Sequence, residues 1–268
     1  MSDMNRSFSG SMPEFYDRIL VPVMFEPFAR DLAERLRGMN SGLVLEIAAG
    51  TGVVTRALAR VLPAEVAITA TDLNPAMLDR AKSHPDLERV RWQEADALAL
   101  PFTDGLFDYV VCQFGVMFFP DKQAGFREAL RVLRPAGRFL FSVWGNREGS
   151  VLEVATKVVG EFLRRDPASL VSPPYNDVVM VQAELSTAGF ASITAEDLTK
   201  SAHSASAREA AVSMCHGGLV RAAIESQMPE RLGEITDVAA AAIAARFGDG
   251  PIESPLHALL FTAVRPAD

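Results

Sequence analysis

The chain has 268 residues, of which 49% are hydrophobic and 22% are charged, and this composition is typical of a folded globular protein. Its net charge of −8 argues against a surface that binds nucleic acid. The sequence has no run of the ~20 apolar residues that a membrane span needs, and its polar N-terminus lacks the apolar core of a signal peptide, so we expect a cytoplasmic protein.

Cysteine and histidine spacing gives no sign of a metal site. Cys112 and Cys215 lie far apart in the chain and form no CxxC pair. The histidines are scattered without the spacing of zinc ligands, at positions 84, 203, 216 and 257. We therefore expect neither a disulfide framework nor a bound metal.

Strand and helix patterns alternate through the first half of the chain. Apolar spacing predicts a helix over Met24–Arg37, within an N-terminal helical cover at residues 13–37. Helices then alternate with five predicted strands, "LVLEIA", "EVAITATD", "VRWQEAD", "FDYVVCQF" and "GRFLFSVW". This alternation with short loops predicts a doubly wound parallel sheet with residues 43–145 as its core.

The pattern loosens after the fifth strand. A helix ending at Gly189 precedes a strand near Ser192–Ser201, and the last strand is predicted at His257–Pro266. The stretch at residues 206–248 is mostly helical and too long for a simple strand connection, so we predict a helical insertion or lid there. We expect residues 1–268 to form a single domain.

A glycine turn follows the first strand, in "LVLEIAAGTGVVTRALA". Small residues at a strand-to-helix turn let the backbone approach a ligand closely, and the carboxyl end of a parallel strand is the usual binding edge of such a sheet. Gly50 and Gly52 form a G-x-G core, but Thr55 stands where a dinucleotide fingerprint has glycine or alanine. A turn that serves packing alone remains the alternative.

Two acids flank this turn and indicate the ligand. Asp72 ends the second strand 22 residues after Gly50, a distance suited to binding ribose hydroxyls. It could instead cap the next helix, but Asn74 is better placed as that cap, which leaves Asp72 free to face the crevice. Glu46 would repel a pyrophosphate and would suit an ammonium or sulfonium group, unless a lysine or arginine pairs with it.

The third strand ends in "EADALALPF", which places Asp96 and Ala97 at the same edge of the sheet. A carboxylate followed by a backbone N–H can recognise an adenine edge. The carboxylate accepts from the exocyclic amine, and the N–H donates to a ring nitrogen. Alternatively, Asp96 could be a solvent-exposed acid in a turn that contacts no ligand.

These motifs together resemble the class I S-adenosylmethionine-dependent methyltransferases, and most closely the ubiquinone/menaquinone-biosynthesis type. The segments that carry the resemblance run in the family's order through Leu43–Trp144: "VLEIAAGTG", "TDLNPAML", "ADALALPFTDGLFDYVVCQF" and "REALRVLRPAGRFLFSVW". The resemblance implies a Rossmann-like, mostly parallel seven-stranded sheet with an antiparallel last strand and a helical insertion before it. It implies S-adenosylmethionine as cofactor and S-adenosylhomocysteine as product.

The resemblance also implies a set of cofactor contacts. Glu46, Ala48, Gly50 and Gly52 would line the methionine and ribose part. The remaining contacts would be Asp72 at the ribose hydroxyls, Leu73 and Met77 near the adenine, Asp96 and Ala97 at its edge, Gln113 below the sulfonium and Tyr16 covering the cofactor. Ala48 departs from the family's glycine, and we expect its methyl to be tolerated if its φ is negative.

The implied reaction is an in-line SN2 transfer of a methyl group, in which the enzyme mainly aligns the reactants and excludes water. A general base is needed only where the acceptor must lose a proton, and the weak candidates are His203 and His216. The acceptor is expected to be a small apolar or aromatic molecule, with a pocket formed by Phe114, Met117, Phe118 and Trp144.

Other functions stay open at this point. "SPPY" at residues 172–175 resembles a motif of amino-directed nucleic-acid methyltransferases, but in those enzymes the motif directly follows the fourth strand, where this chain has "QFGV". A non-catalytic S-adenosylmethionine-binding protein and a dinucleotide-dependent oxidoreductase are the alternatives. The N-terminal helix and the insertion could cover the crevice or form a homodimer interface.

Overall fold

A seven-stranded sheet organises the protein in a computed structural model that describes residues 12–267. Its strands in chain order are β1 Gly42–Glu46, β2 Val66–Asp72, β3 Val90–Glu94, β4 Phe107–Gln113, β5 Leu133–Trp144, β6 Ala191–Ser204 and β7 Ile252–Val264. They lie in the order β3-β2-β1-β4-β5-β7-β6. Neighbouring strands from β3 to β5 are parallel, and β7 is antiparallel to β5. The predicted sheet, with its antiparallel last strand, is confirmed.

The strand order reverses at β1, and this position determines where a ligand can bind. β1 pairs with β2 on one side and with β4 on the other. From β1 the chain continues to β2 and β3 towards one edge of the sheet, whereas from β4 it continues to β5 towards the other edge. At such a reversal a crevice opens beyond the carboxyl ends of the two adjacent strands, here β1 and β4. The glycine turn after Glu46 and the turn after Gln113 both lie at this edge.

Nine longer α-helices accompany the sheet within the described residues. They are α1 Glu26–Glu34, α2 Val53–Val61, α3 Pro75–Lys82, α4 Lys122–Val132, α5 Val151–Leu163, α6 Val178–Ala188, α7 Ala207–Cys215, α8 Gly218–Gln227 and α9 Leu232–Phe247. Local sequence explains several ends: Asp121 caps α4 by accepting from the Ala124 N–H, and Gly189 ends α6 at a φ of 105°.

The helix predicted over Met24–Arg37 is shorter than expected. It corresponds to α1, which ends at Glu34, and the preceding segment Tyr16–Phe25 is a π-helix that contains Pro22. Proline has no amide hydrogen to donate, so it interrupts the regular α-helical ladder. Apolar spacing alone does not report this change of helix type.

Phenylalanines fill the core beside β5. The ring of Phe126 on α4 lies 6.2 Å from that of Phe139 and 5.7 Å from that of Phe141. Phe141 also stacks on Phe261 of β7 at 5.1 Å. All four side chains are buried, and each contributes about 1.5–3 kcal/mol relative to an exposed side chain.

The contacts divide the chain into two compact units. Within the described residues, the sheet unit comprises Phe28–Gly145, Tyr175–Leu198 and residues 258–267. The helical unit comprises residues 12–27 together with Asn146–Pro174 and Thr199–His257.

The predicted insertion at 206–248 lies in the helical unit and contains α7, α8 and α9. Within that unit α9 packs against α5 and α7, so residues 146–174 are part of the same body. Its role as a lid, the helical cover at 13–37 and the single domain remain predictions.

Among residues 12–267, every helix is too short or too polar to cross a bilayer.

Candidate functional site

The turn between β1 and α2 has an unusual backbone. Ala48, Gly50 and Gly52 all have positive φ, at 54°, 56° and 79°. Glycine adopts this left-handed region readily, whereas an alanine there costs about 1–2 kcal/mol. The condition under which we expected the Ala48 methyl to be tolerated, a negative φ, is therefore not met, and the turn carries the cost of this strain.

Asp72 ties this turn to the end of β2. Its Oδ2 accepts from the Gly50 N–H and its Oδ1 accepts from the Asn74 N–H, each at 2.8 Å. Burial raises the pKa of Asp72, and the backbone donors oppose that effect. The Leu73 N–H also acts on this carboxylate. The expectation that Asp72 faces the crevice stays a prediction, since a carboxylate has about four acceptor sites and one of them could still accept from a ligand hydroxyl.

Asn74 is the cap of α3, as predicted. Its side-chain oxygen accepts from the Ala76 N–H at 2.9 Å, and Pro75 occupies the first helical position, where a missing N–H has no cost. The cap and Asp72 are therefore two separate features of the "TDLNPAM" segment.

Glu46 is a buried acid at the start of the turn, with 2% of its surface exposed. The Thr55 hydroxyl donates to its Oε2 at 2.5 Å. Burial raises the pKa of Glu46 to about 8, and the Asp72 charge raises it further, while the Thr55 bond and the Arg56 charge oppose the shift. The Arg56 guanidinium itself donates to the Thr51 carbonyl oxygen at 2.8 Å. The hydrogen-bond partner of Glu46 is thus a hydroxyl, not the lysine or arginine of the alternative interpretation.

The residues expected near an adenine occupy different settings. Met77 is buried, and its Cε lies 3.7 Å from the position that a Cβ on Gly50 would take, so it reaches the glycine turn. Leu73 is 45% exposed. Asp96 is an exposed acid whose Oδ1 accepts from the Leu98 N–H at 2.9 Å, while Ala97 is half-buried. The adenine roles of these residues remain predictions.

An aromatic wall, defined here as Phe28, Phe114 and Trp144, lies within the sheet unit. The Phe114 and Trp144 rings are stacked, with centroids 3.7 Å apart and planes at 7°. Phe28 meets both rings edge-on at 5.4 and 5.6 Å. Phe114 has a φ of 54°, which is rare for a bulky residue and occurs mostly at functional sites. Sequence reasoning had assigned Phe28 only to a helix.

The segment after β4 is held against this wall. Met117 is buried, and its Sδ accepts from the Trp144 N–H at 3.4 Å. Phe118 is half-buried in a 3-10 turn, and Lys122 donates to the carbonyl oxygens of Met117 and Phe119. Phe114, Met117 and Trp144 are therefore brought together, but they pack on one another as well as lining the crevice edge. Their contact with an acceptor remains a prediction.

Two buried hydroxyls were missed by sequence reasoning. Ser142 pairs in register with Gln113, and paired residues of parallel strands point to the same face of the sheet. The Ser142 hydroxyl is buried without a hydrogen-bond partner in residues 12–267, and so is the Thr51 hydroxyl in the glycine turn. An unpartnered buried hydroxyl is costly, which favours a ligand as its partner. The available signal was a lone serine in the apolar strand "GRFLFSVW".

Tyr16, His203 and His216 belong to the helical unit, and their roles at the crevice remain predictions. The Tyr16 ring lies 5.3 Å from that of Phe25, and His203 is exposed on β6. His216 lies 3.0 Å from the Thr236 hydroxyl, which donates to the Leu232 carbonyl oxygen. The imidazole Nε2 therefore donates to Thr236 and Nδ1 carries the lone pair. Burial lowers the pKa of His216.

Within the described part of the chain, no three histidine, cysteine, aspartate or glutamate side chains are grouped closely enough to hold a metal ion.

Comparison with known proteins finds methyltransferase relatives for part of the chain. A family described as "Methyltransferase domain" matches residues 44–137. The chain is 34% identical over 129 residues to the ubiquinone/menaquinone biosynthesis C-methyltransferase UbiE of Geobacter sulfurreducens, a match that covers 47% of this chain and 50% of that protein. The chain thus spans about half the length of the curated relatives it matches.

Solved structures share the fold at lower sequence identity. The YcgJ protein of Bacillus subtilis superposes with a TM-score of 0.58 at 22% identity, over 90% of this chain and 99% of that one. The [4+2]-cyclase SpnF has the same TM-score at 20% identity, over 91% of this chain and 82% of that one.

The matched segment contains the glycine turn, Asp72 and the strands that form the crevice edge. The resemblance predicted from the motifs is confirmed over the segment that matches: residues 44–137 fit the methyltransferase family, and this part of the chain is similar to ubiquinone/menaquinone-biosynthesis C-methyltransferases.

Proposed function

We propose that this protein binds S-adenosylmethionine at the glycine turn and transfers its methyl group to a small apolar or aromatic acceptor. The observation that carries the proposal is the buried acid Glu46 beside Asp72 at the end of β1. A cation bound beside Glu46 would favour the ionised form of this carboxyl group, whereas a phosphate would oppose its ionisation. The two acids therefore suit a cationic ligand that carries a ribose better than they suit a dinucleotide.

The donor groups of the turn fit this cofactor. Asp72 offers the remaining acceptor site of its carboxylate to a ribose hydroxyl. Thr51 offers a buried hydroxyl that has no other partner in the described residues. Gly50 and Gly52 present backbone without side chains, and Met77 supplies an apolar contact beside them. When bound, the cofactor supplies an electrophilic methyl group on a positively charged sulfur.

The protein's own contribution is alignment and exclusion of water. Gln113 and Ser142 share one face of the sheet at the crevice edge. Two residues of the aromatic wall lie at the same edge, since Phe114 directly follows β4 and Trp144 is the last residue of β5. A rigid stack of rings can hold a planar acceptor in one orientation, and a fixed orientation is the main source of rate in a displacement between two bound molecules.

The acceptor class follows from these apolar walls. UbiE acts in ubiquinone and menaquinone biosynthesis by its name, and a quinone-type aromatic ring would suit a wall of Phe114 and Trp144. We propose an aromatic acceptor methylated at carbon, oxygen or nitrogen. His203 and His216 remain the two candidates for a general base where the acceptor must lose a proton.

Two other functions make different predictions. A dinucleotide-dependent oxidoreductase would require NAD to bind beside Glu46, which would place its pyrophosphate next to an acid. A non-catalytic binding protein would keep cofactor affinity without turnover. The fold does not decide between these chemistries, since one neighbour in structure is named a [4+2]-cyclase.

The first experiment is thermal stabilisation by S-adenosylhomocysteine and by NAD, measured side by side. We expect stabilisation by S-adenosylhomocysteine alone, and stabilisation by NAD alone would replace the proposal with the oxidoreductase. Asp72→Ala should weaken binding by about 1.5–3 kcal/mol for each charge-assisted bond lost. The matched control is Asp79→Ala, which removes an exposed acid of α3 that pairs with Lys82. Equal affinity in the two variants would remove Asp72 from the site.

A further inference from the structure

Gly115 lies against the side chain of Ala48. A Cβ built on Gly115 would lie 2.6 Å from the Cβ of Ala48 and 2.8 Å from the Sγ of Cys112. Both distances are below the 3.0 Å that real Cβ atoms essentially never cross. The turn after β1 and the turn after β4 therefore meet at a position where only one of the two can carry a methyl group.

The two close contacts differ in how they can be relieved. The Cys112 sulfur, which accepts from the Gly115 and Val116 N–H groups, can rotate about χ1 at the cost of these weak bonds. The Ala48 methyl is fixed to its backbone and has no rotamer. A methyl group on residue 115 would therefore have to displace one of the two turns. Ordinary contact begins at 3.4 Å, so the turns would have to separate by about 0.8 Å.

Both turns are already held in demanding conformations. Ala48 and Phe114 each have a φ of 54°, and Phe114 is stacked on Trp144. The Phe114 N–H also donates to the Ser142 carbonyl oxygen at 2.9 Å. A shift at residue 115 thus acts on the glycine turn on one side and on the aromatic wall on the other.

We infer that Gly115 is a positioning residue, which sets the distance between the cofactor turn and the acceptor wall through its contact with Ala48. The inference rests on the proposed function, since it assumes that the turn binds S-adenosylmethionine. It also explains how alanine replaces the family's glycine at position 48, because the missing side chain of residue 115 makes room for that methyl.

The test is a rescue experiment on cofactor affinity. Gly115→Ala should weaken S-adenosylhomocysteine binding by about tenfold or more, since a shift of the turn by about 0.8 Å would weaken its hydrogen bonds to the ligand, and the net loss of one or two such bonds is about tenfold or more in affinity. Adding Ala48→Gly should restore most of the affinity, because it removes the rigid contact. Adding Cys112→Ala instead should restore little.

Gly137→Ala is the matched control for a general packing defect. A Cβ on Gly137 would lie 2.8 Å from the Arg134 carbonyl oxygen, near the start of β5 and at the opposite end of that strand from Trp144. This variant should bind S-adenosylhomocysteine like the wild type, and Ala48→Gly should not change its stability by more than it changes the wild type.

Calorimetry and urea unfolding of all variants separate the outcomes. If Gly115→Ala does not fold, recovery of folded, binding-competent protein in the Ala48→Gly double variant but not in the Cys112→Ala double variant supports the inference. Unchanged affinity in Gly115→Ala, or equal rescue by the two second substitutions, overturns it and leaves the proposed function standing. A wild type that does not bind S-adenosylhomocysteine overturns the proposed function itself.

Discussion

Replacing Glu46 by glutamine tests the electrostatics of the site in the ligand-free protein. Glu46 is buried, its pKa is raised to about 8 by burial, and its Oε2 accepts from Thr55. Glutamine has the same shape and keeps an oxygen for that bond, but it cannot ionise. The variant therefore isolates the free-energy change that accompanies ionisation of this one carboxyl group.

The sign follows from proton linkage. A folded pKa of about 8 lies above the ordinary value of 4.5, so between these values the native state holds a proton that the unfolded state has released. The wild type is therefore most stabilised by this group below pH 4.5 and loses that stability as the pH rises towards 8. The full slope is about 1.4 kcal/mol for each pH unit, but the group titrates only partly near pH 5 and pH 8, so the loss between these two values is about 3–4 kcal/mol.

Thermal unfolding of the two proteins from pH 5 to pH 8 provides the measurement. Other groups titrate in both proteins, so the difference between the two curves is the quantity of interest. We expect the melting temperature of the wild type to fall relative to Glu46→Gln by roughly 6 to 12 °C across this range. Parallel curves would show that Glu46 is already ionised when the protein folds, and would refute the argument from burial.

Three further predictions concern the neighbouring residues. Thr55→Val should destabilise the protein by about 1–3 kcal/mol, because it leaves the Glu46 carboxyl without its donor, and urea unfolding at pH 8 would measure the loss. Ser142→Ala should leave the ligand-free protein equally or more stable while weakening ligand binding, and a clear loss of unfolding free energy would mean that the hydroxyl has a protein partner. Trp144→Leu should raise KM for an aromatic acceptor more than for S-adenosylmethionine, and an unchanged ratio of the two would separate the aromatic wall from the acceptor.

The positions of the strands along the chain and the Asn74 cap could be predicted, because each depends on local pattern. Alternating apolar runs identify parallel strands whichever residues they later contact, and "DLNPAM" contains its own cap and first helical residue. The strand ends were less accurate, since β5 begins at Leu133 rather than at Gly137. The two compact units could not be predicted, because each joins segments that are distant in sequence.

The contacts of Asp72 and Phe28 within the protein could not be predicted for a different reason. An aspartate at the end of a strand indicated a ligand contact, and a phenylalanine at helical spacing indicated the buried face of a helix. The partners of Asp72 are backbone N–H groups whose direction depends on the conformation of the glycine turn. Phe28 reaches the Phe114–Trp144 stack only because Phe114 adopts positive φ, which its residue type disfavours.

The two departures from familiar glycine patterns have partners elsewhere in the fold. Thr55 replaces the small residue of a dinucleotide fingerprint, and its hydroxyl holds the buried Glu46. Ala48 replaces the family's first glycine, and its methyl occupies the space left by Gly115. Read one at a time along the sequence, each departure suggests a weaker binding turn. Considered with their partners, Thr55 fits a turn that holds the buried acid Glu46, and Ala48 fits a turn that packs against Gly115. Substituting both members of a pair is therefore more informative than substituting either one alone.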